Sequence, residues 1–285
     1  MISQRIVTRI ILAAAVVGAA LLLPACAELI TPEEQMALLR LDQPVDRSDM
    51  SVQQLIDAIQ KATDPDKKYY NTEKYLLKQQ IVAEQENKDS RVSLIYVTEI
   101  RYAKPDKIRW THYRNGIPFK ISICKGGDAW DIDPEKRKSV KIQEGLGLNL
   151  FRTSTAMANP MKTYLDIFKT VEIASVREDG KRCYRLVCQA YDDAIAPYVI
   201  YVDAETFLPC KMETIVYHDD GTQNLYTSIP SDYKWYEESV RLPRTTVVKT
   251  GQGSQNICTI TDFTLNPNIP DSDFELPKRF KVEEK

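Results

Sequence analysis

Histidine is the scarcest useful chemistry in this 285-residue chain: only His112 and His218 are present, beside ten glycines and three tryptophans. Two histidines leave multi-histidine metal centres and imidazole-driven catalysis few parts to work with. So little glycine, with charged residues at 27%, excludes collagen-like repeats, low complexity and wholesale disorder. Neither sign of charge dominates. The 38 Lys plus Arg face 40 Asp plus Glu, net −2, and no polybasic footprint points to a nucleic-acid partner. The chain also lacks a G-x-S-x-G elbow, an H-E-x-x-H pair, a Walker A sequence and a G-x-G-x-x-G after a strand. What it has instead is 15 Tyr and 7 Phe among many Val, Ile and Thr, a mixture suited to strands.

Residual catalytic candidates are few. His112 lies on a strand between Thr111 and Tyr113 and reads as a satisfied or exposed histidine, and His218-Asp219-Asp220 beside Gly221 reads as a solvated hairpin tip. Asp131 and Asp133 share a strand face and form a carboxylate pair, but nothing in the sequence marks a raised pKa. The expectation is therefore a protein that is not an enzyme, with no cofactor and no metal.

Residues 1–27 read as an address. Arg5 and Arg9 precede the uncharged apolar stretch Ile10–Leu23, which is shorter than the roughly 20 residues of a membrane span. Leu23-Pro24-Ala25-Cys26 is similar to a bacterial lipoprotein signal, in which Cys26 becomes the acylated first residue. Ala25-Cys26-Ala27 also fits the small-x-small rule of ordinary signal cleavage, which leaves Glu28 first. Both readings stand: likeness to lipoprotein signals with Ala27 and not Asp after the Cys implies the outer membrane facing the periplasm, and ordinary cleavage implies the free periplasm. Without Cys26 five cysteines remain: Cys124, Cys183, Cys188, Cys210 and Cys258. An odd set leaves at least one thiol free or bonded to another chain. A Cys188–Cys210 bridge and simple burial as small apolar residues are both open.

Residues 28–50 contain Pro32 and Pro44, lack periodicity and read as a spacer with one helical turn. Ser51 with Gln54 makes a capping box, and Leu55, Ile56, Ile59 and Ala62 form one apolar face up to Asp64-Pro65, so a helix is expected over 52–62. From Tyr75 the period changes to two. Strands are expected near 74–86, 92–102, 107–113, 118–124, 128–133 and 137–143, then 170–178, 182–191, 197–203, 210–218, 222–229, 240–250 and 255–264. Asn115-Gly116, Gly126-Gly127, Asp179-Gly180, Asp220-Gly221 and Gly251–Gly253 supply turns, which implies an antiparallel meander. Between the two series, Asn159 and Pro160 open an expected helix with Met161, Tyr164, Leu165 and Phe168 on one face, after an apolar loop at 146–151. With no repeat and no central linker, residues 51–280 read as one mainly β (α+β) domain.

Two stretches of the first β half are specific in combination: Tyr102-Ala103-Lys104-Pro105-Asp106-Lys107-Ile108-Arg109-Trp110, and Lys125-Gly126-Gly127-Asp128-Ala129-Trp130-Asp131-Ile132-Asp133-Pro134. With Tyr201–Pro209 and Ile269–Pro277 they give an order and spacing that resembles the outer-membrane lipoprotein carrier family (LolA and LolB) and its lipoprotein-sorting relatives, over about residues 50–278. The resemblance implies an unclosed half-barrel, a curved antiparallel sheet whose concave face is covered by helices, with acyl chains held between sheet and helices. It assigns Leu55, Ile56, Ile59, Met161, Leu165 and Phe168 to the helical wall and Ile108 and Trp110 to the facing strand. The family's latch, an Arg before the Pro, is here Lys104, which lacks the planar fork. The same helical stripes also arise from a solidly packed core. The leading expectation is binding of lipid or lipoprotein acyl chains as carrier, acceptor or chaperone. The alternatives are an envelope sensor with a protein partner and, behind it, an unrecognised hydrolase.

Overall fold

The computed structural model describes residues 31–87, 90–217, 223–250, 254–277 and 280–284. The address segment with Cys26, the hairpin tip with His218 and the Gly251–Gly253 turn lie outside the described residues. Among the described residues there are four α-helices: α1 (Pro32–Leu38), α2 (Val52–Thr63), α3 (Leu146–Met157) and the single-turn α4 (Tyr164–Ile167). The first series of strands is β1 (Asp46–Arg47), β2 (Lys74–Asn87), β3 (Ser90–Ala103), β4 (Lys107–Arg114), β5 (Ile117–Lys125), β6 (Asp128–Asp133) and β7 (Lys138–Lys141). The second is β8 (Thr170–Glu178), β9 (Lys181–Gln189), β10 (Tyr198–Asp203), β11 (Pro209–Tyr217), β12 (Gln223–Tyr236), β13 (Val240–Thr250), β14 (Ser254–Leu265) and β15 (Lys281–Glu284).

All fifteen strands of the described residues belong to one sheet, ordered β1-β8-β9-β10-β11-β12-β13-β14-β2-β3-β4-β5-β6-β7-β15. Every ladder is antiparallel except β7 with β15. The sheet does not close, so the molecule is an unclosed half-barrel. Its seam is the long pairing of β14 with β2, from Ser254↔Gln85 to Leu265↔Tyr75, which puts the late strands beside the early ones. One consequence follows from topology alone. The chain finishes β7 near one edge and must start β8 near the other, so residues 142–169 have to travel across the sheet. Helices α3 and α4 lie on that crossing, and α2 joins them on the same face.

Alternation sorts the side chains. Tyr75, Leu77 and Ile81 of β2, Ile100 and Tyr102 of β3, Ile108 and Trp110 of β4, and Tyr198, Ile200 and Val202 of β10 enter the main core with Leu55, Leu148, Phe151 and Phe168 from the helical side. The intervening residues Val199 and Tyr201 face the outer side, where Leu39 covers them. Ile121, Ile123 and Ile132 form a second outer cluster under Leu276 and Phe280. The tight turns follow the expected chemistry: Asn115 and Gly116 both take positive φ, as do Asp179 and Gly180.

Two stretches differ most from the sequence reading, besides β12, which runs to Tyr236 past the expected 229, and β15, where no strand is expected. The stretch expected as a spacer carries α1, capped by Thr31 and Glu34 in a reciprocal box, then the fully buried Leu39, then β1 on the sheet edge beside β8. The helix expected from Asn159 is a correction. The crossing helix begins at Leu146, within the stretch read as an apolar loop, and stops at Met157. Gly145, Gly147 and three hydroxyl residues disguised it, and its first turn has no side-chain cap. Asn159 does accept a hydrogen bond from the Met161 N–H at 3.0 Å, a local turn that mimics a cap. The helix that follows starts only after Thr163, whose box with Asp166 is real. It ends in one turn because Phe168 must be extended to reach β8. The cysteines also rearrange: all five are free thiols, and the neighbour of Cys210 is Cys183, Sγ to Sγ 3.8 Å, while Cys188 is buried on the opposite face.

Candidate functional site

An apolar recess of about 390 Å³ lies where the helices leave the sheet incompletely filled. Its walls come from α2 (Ile56, Ile59), the end of α3 (Met157), α4 (Tyr164, Ile167) and the strand residues Ile200, Met212, Val240 and Leu242. The register explains the gap. Met212 pairs with Ser228, so β11, which begins at Pro209, ends well short of Tyr236, and the far part of the β12–β13 hairpin has no β11 beside it. Tyr233 partly fills that space and donates from its hydroxyl to the Pro209 carbonyl at 2.7 Å. Burial holds the phenols of Tyr233 and Tyr164 well above their usual pKa, so both stay neutral.

The floor is apolar and buried, with Val240, Ile200, Met212 and Leu242 each at most 6% exposed. The rim is polar: Gln53, Asp57, Lys67 and Lys162 border the opening and are exposed. One side of the rim is pinned by Asp64, a buried carboxylate ending α2 that accepts from the Tyr69 and Tyr70 N–H groups at 3.2 and 2.9 Å. This shape, an apolar recess of a few hundred cubic ångströms under a polar rim, suits the transfer of a hydrocarbon segment from water. No cluster of three His, Cys, Asp or Glu poised for a metal exists among the described residues.

Behind the recess, aromatic side chains tie the helical side to the sheet. Tyr75 and Tyr102 stack at 5.1 Å. The Tyr75 hydroxyl donates to the Ala158 carbonyl at 2.9 Å and the Tyr102 hydroxyl to Asn159 Oδ1 at 3.0 Å. Asn159 Nδ2 in turn donates to the Pro105 carbonyl at 2.9 Å. The turn between α3 and α4 is therefore fixed to β2, β3 and the Pro105 loop by three buried or part-buried hydrogen bonds.

The residues named from sequence divide into groups. Ile56 and Ile59 are on the wall of the recess. Leu55, Ile108 and Trp110 are fully buried in the packed core, with Trp110 edge-on to Phe151 at 5.6 Å. Phe168 is 2% exposed and packs on Tyr198. Met161 is half-buried in the turn before α4 and does not line the recess, and Leu165 is 44% exposed. Lys104 reaches the Glu73 carboxylate at 3.0 Å and the Asn71 carbonyl, in the loop after α2. It is Asn159, two residues past α3, that fastens the helical side beside Pro105. Sequence reading missed Met157, Ile167, Met212, Val240 and Leu242. Each carried the right alternation for the core, but no signal distinguishes a core residue from a wall residue where a neighbouring strand stops short.

The other candidates among the described residues sit in local hydrogen bonds and ion pairs. His112 is buried, with Nδ1 2.9 Å from the Thr98 hydroxyl. Asp131 takes the Ser122 hydroxyl at 2.6 Å and faces Lys120 at 3.4 Å. Asp133 pairs with Lys136, whose hydrogen bonds hold its pKa down against burial. The partners seen are different: Ser122 and Lys120 for Asp131, Lys136 for Asp133.

No protein-family model and no curated protein matches the chain. Solved structures do. A LolA superfamily protein from Nitrosomonas europaea superposes with a TM-score of 0.55 at 14% identity, covering 79% of this chain and 98% of its own. A domain described as an outer membrane lipoprotein-sorting protein, from Vibrio parahaemolyticus, gives 0.54 at 12%, covering 79% and 97%. A DUF1329 family protein from Desulfovibrio piger gives 0.53 at 12%, with the same coverage. The chain thus has the fold of the LolA superfamily over most of its length, at a sequence distance where likeness speaks to fold.

Proposed function

We propose that this half-barrel is a non-catalytic binder of acyl chains, of lipid or lipoprotein, in the bacterial envelope. The observation that carries the reading is the apolar recess between α2, α4 and the β12–β13 hairpin, open at a polar rim. The fold supports it, because solved proteins of the same architecture include one described as lipoprotein-sorting. Burying six methylenes there is worth roughly 5 kcal/mol, at about 0.8 kcal/mol each, enough to hold a chain reversibly. The address segment and the absence, among the described residues, of any helix long and apolar enough to cross a membrane fit an exported protein. Acylation at Cys26 would add an anchor.

Native mass spectrometry after detergent-free purification tests the reading. A lipid or fatty acid should travel with the protein in near-stoichiometric amount, and Ile59→Glu should reduce it by about tenfold or more, since a carboxylate on the wall is costly to bury. A ligand-free wild type that also fails to take up a fluorescent fatty acid would sink the proposal.

A further inference from the structure

A second cavity, of about 310 Å³, lies on the outer face of the sheet, beneath residues 40–46 and away from the apolar recess. A charged cluster sits under it. Lys211 meets Glu178 at 2.5 Å and Glu213 at 3.1 Å. Glu213 also receives Arg40 at 3.4 Å and the Tyr201 hydroxyl at 3.2 Å. Both carboxylates are therefore committed, and Arg185 is left over. It is 7% exposed, lines the cavity, and makes no ion pair among the described residues. Its single hydrogen bond runs from Nη1 to the Arg40 carbonyl at 3.3 Å. Nε is enclosed with no acceptor, so Nη2 is the part of the guanidinium left to meet the cavity.

The charge count points the same way. The covered part of the cluster is Arg185, Lys211, Glu178 and Glu213, where Lys211 takes both carboxylates, and the 48% exposed Arg40 side chain adds a further cation at the edge. At the rim, the exposed Asp46 is balanced by the exposed Arg177. A buried guanidinium without a counter-ion is unfavourable, and the group that satisfies it best is an oxyanion accepting a charge-assisted N–H bond. We infer that the outer cavity is a binding site for an oxyanion, a carboxylate or phosphate group, held by Nη2 of Arg185. The oxyanion bridges the sheet to the segment after α1, since Arg40 and Val45 close the cavity from that side.

The test uses inorganic phosphate and acetate as probes, with sodium chloride holding ionic strength constant. Phosphate, acetate or both should raise the melting temperature of the purified protein by several degrees and slow amide exchange over residues 40–46. Arg185→Met should abolish both effects, whereas a general salting-out effect would shift wild type and variant alike and overturn the proposal. Val45→Glu guards against an Arg185 variant that does not fold. Val45 is 42% exposed on the cavity lining, so the variant tolerates the change and supplies its own carboxylate. Phosphate and acetate should then have no effect, and an undiminished response in Val45→Glu would overturn the site. Acetate alone acting would assign a carboxylate ligand, phosphate alone a phosphate.

Discussion

Gln79 sits in the middle of the concave face, between Thr98 and Ile260 on neighbouring strands, and is fully buried. Neither its amide nitrogen nor its amide oxygen has a hydrogen-bond partner. A buried amide left unpaired costs about 1–3 kcal/mol, whereas an apolar side chain of similar volume has nothing to leave unpaired. Gln79→Met should therefore stabilise the protein by about 1–2 kcal/mol, a rise of roughly 2–8 °C in melting temperature at this size. A drop in the melting temperature would mean that internal water satisfies the amide. The same scale separates Arg185 from its neighbours. Lys211 and Arg40 are buried or half-covered cations with carboxylates in reach, and Arg185 differs only in having none.

Asn159 shows how an element depends on one side chain. It holds the turn between α3 and α4 through Tyr102 and Pro105, and that turn carries Tyr164 and Ile167 onto the wall of the recess. Asn159→Ala takes the shorter hydrogen bonds from the Tyr102 hydroxyl and the Pro105 carbonyl, leaves them only their mutual contact at 3.3 Å, and should cost about 1–2 kcal/mol. Hydrogen exchange should accelerate over 158–168 and stay unchanged in β3, and uniform acceleration would count against a local role. Most of the sheet was legible because alternation marks strands wherever one face is buried: β6, β8 and β13 start and end where the sequence places them. The helices were less legible. Ser51 with Gln54 announces α2 correctly, but Asn159 offers the same local chemistry for a different purpose, bonding the sheet and one nearby N–H. Four residues of α4 cannot hold a helix by propensity alone, so only the need to cross from β7 to β8 explains where α3 and α4 lie. For the site, Ile56 and Ile59 were readable from the α2 stripe. The strand wall was not, because it exists only where β11 stops short of the β12–β13 hairpin.

At the scale of the whole molecule, stability depends on keeping many weak acids protonated. Burial raises the phenols of Tyr69, Tyr75, Tyr96, Tyr102, Tyr164 and Tyr233 well above their ordinary range. It also pushes Cys258 up to about 12, and Cys188 further in the same direction. The lowered carboxylates are different in kind. Asp49, held down by Arg182, and Asp271, held down by Lys107, are at the surface, where solvent screens the pairing. Their contribution is present above the ordinary carboxylate pKa and fades as pH falls through the lowered value, so the acid limb should be shallow. For the buried thiols and phenols the sign reverses. Their contribution is complete below about pH 9, where an unfolded thiol is still protonated, and it is lost as pH rises toward 12 because the unfolded chain releases the proton first. Each such group steepens the decline by about 1.4 kcal/mol per pH unit, so Cys188 and Cys258 alone give about 3 kcal/mol per unit before any phenol joins. Urea titrations from pH 4 to 11 should accordingly show a broad plateau to about pH 9 and then a steep loss. Cys258→Ala should flatten the alkaline limb by roughly one group's slope. A stability profile that falls as steeply below pH 5 as above pH 9 would contradict this assignment, since it would place the controlling charges on the surface pairs instead of in the core of the half-barrel.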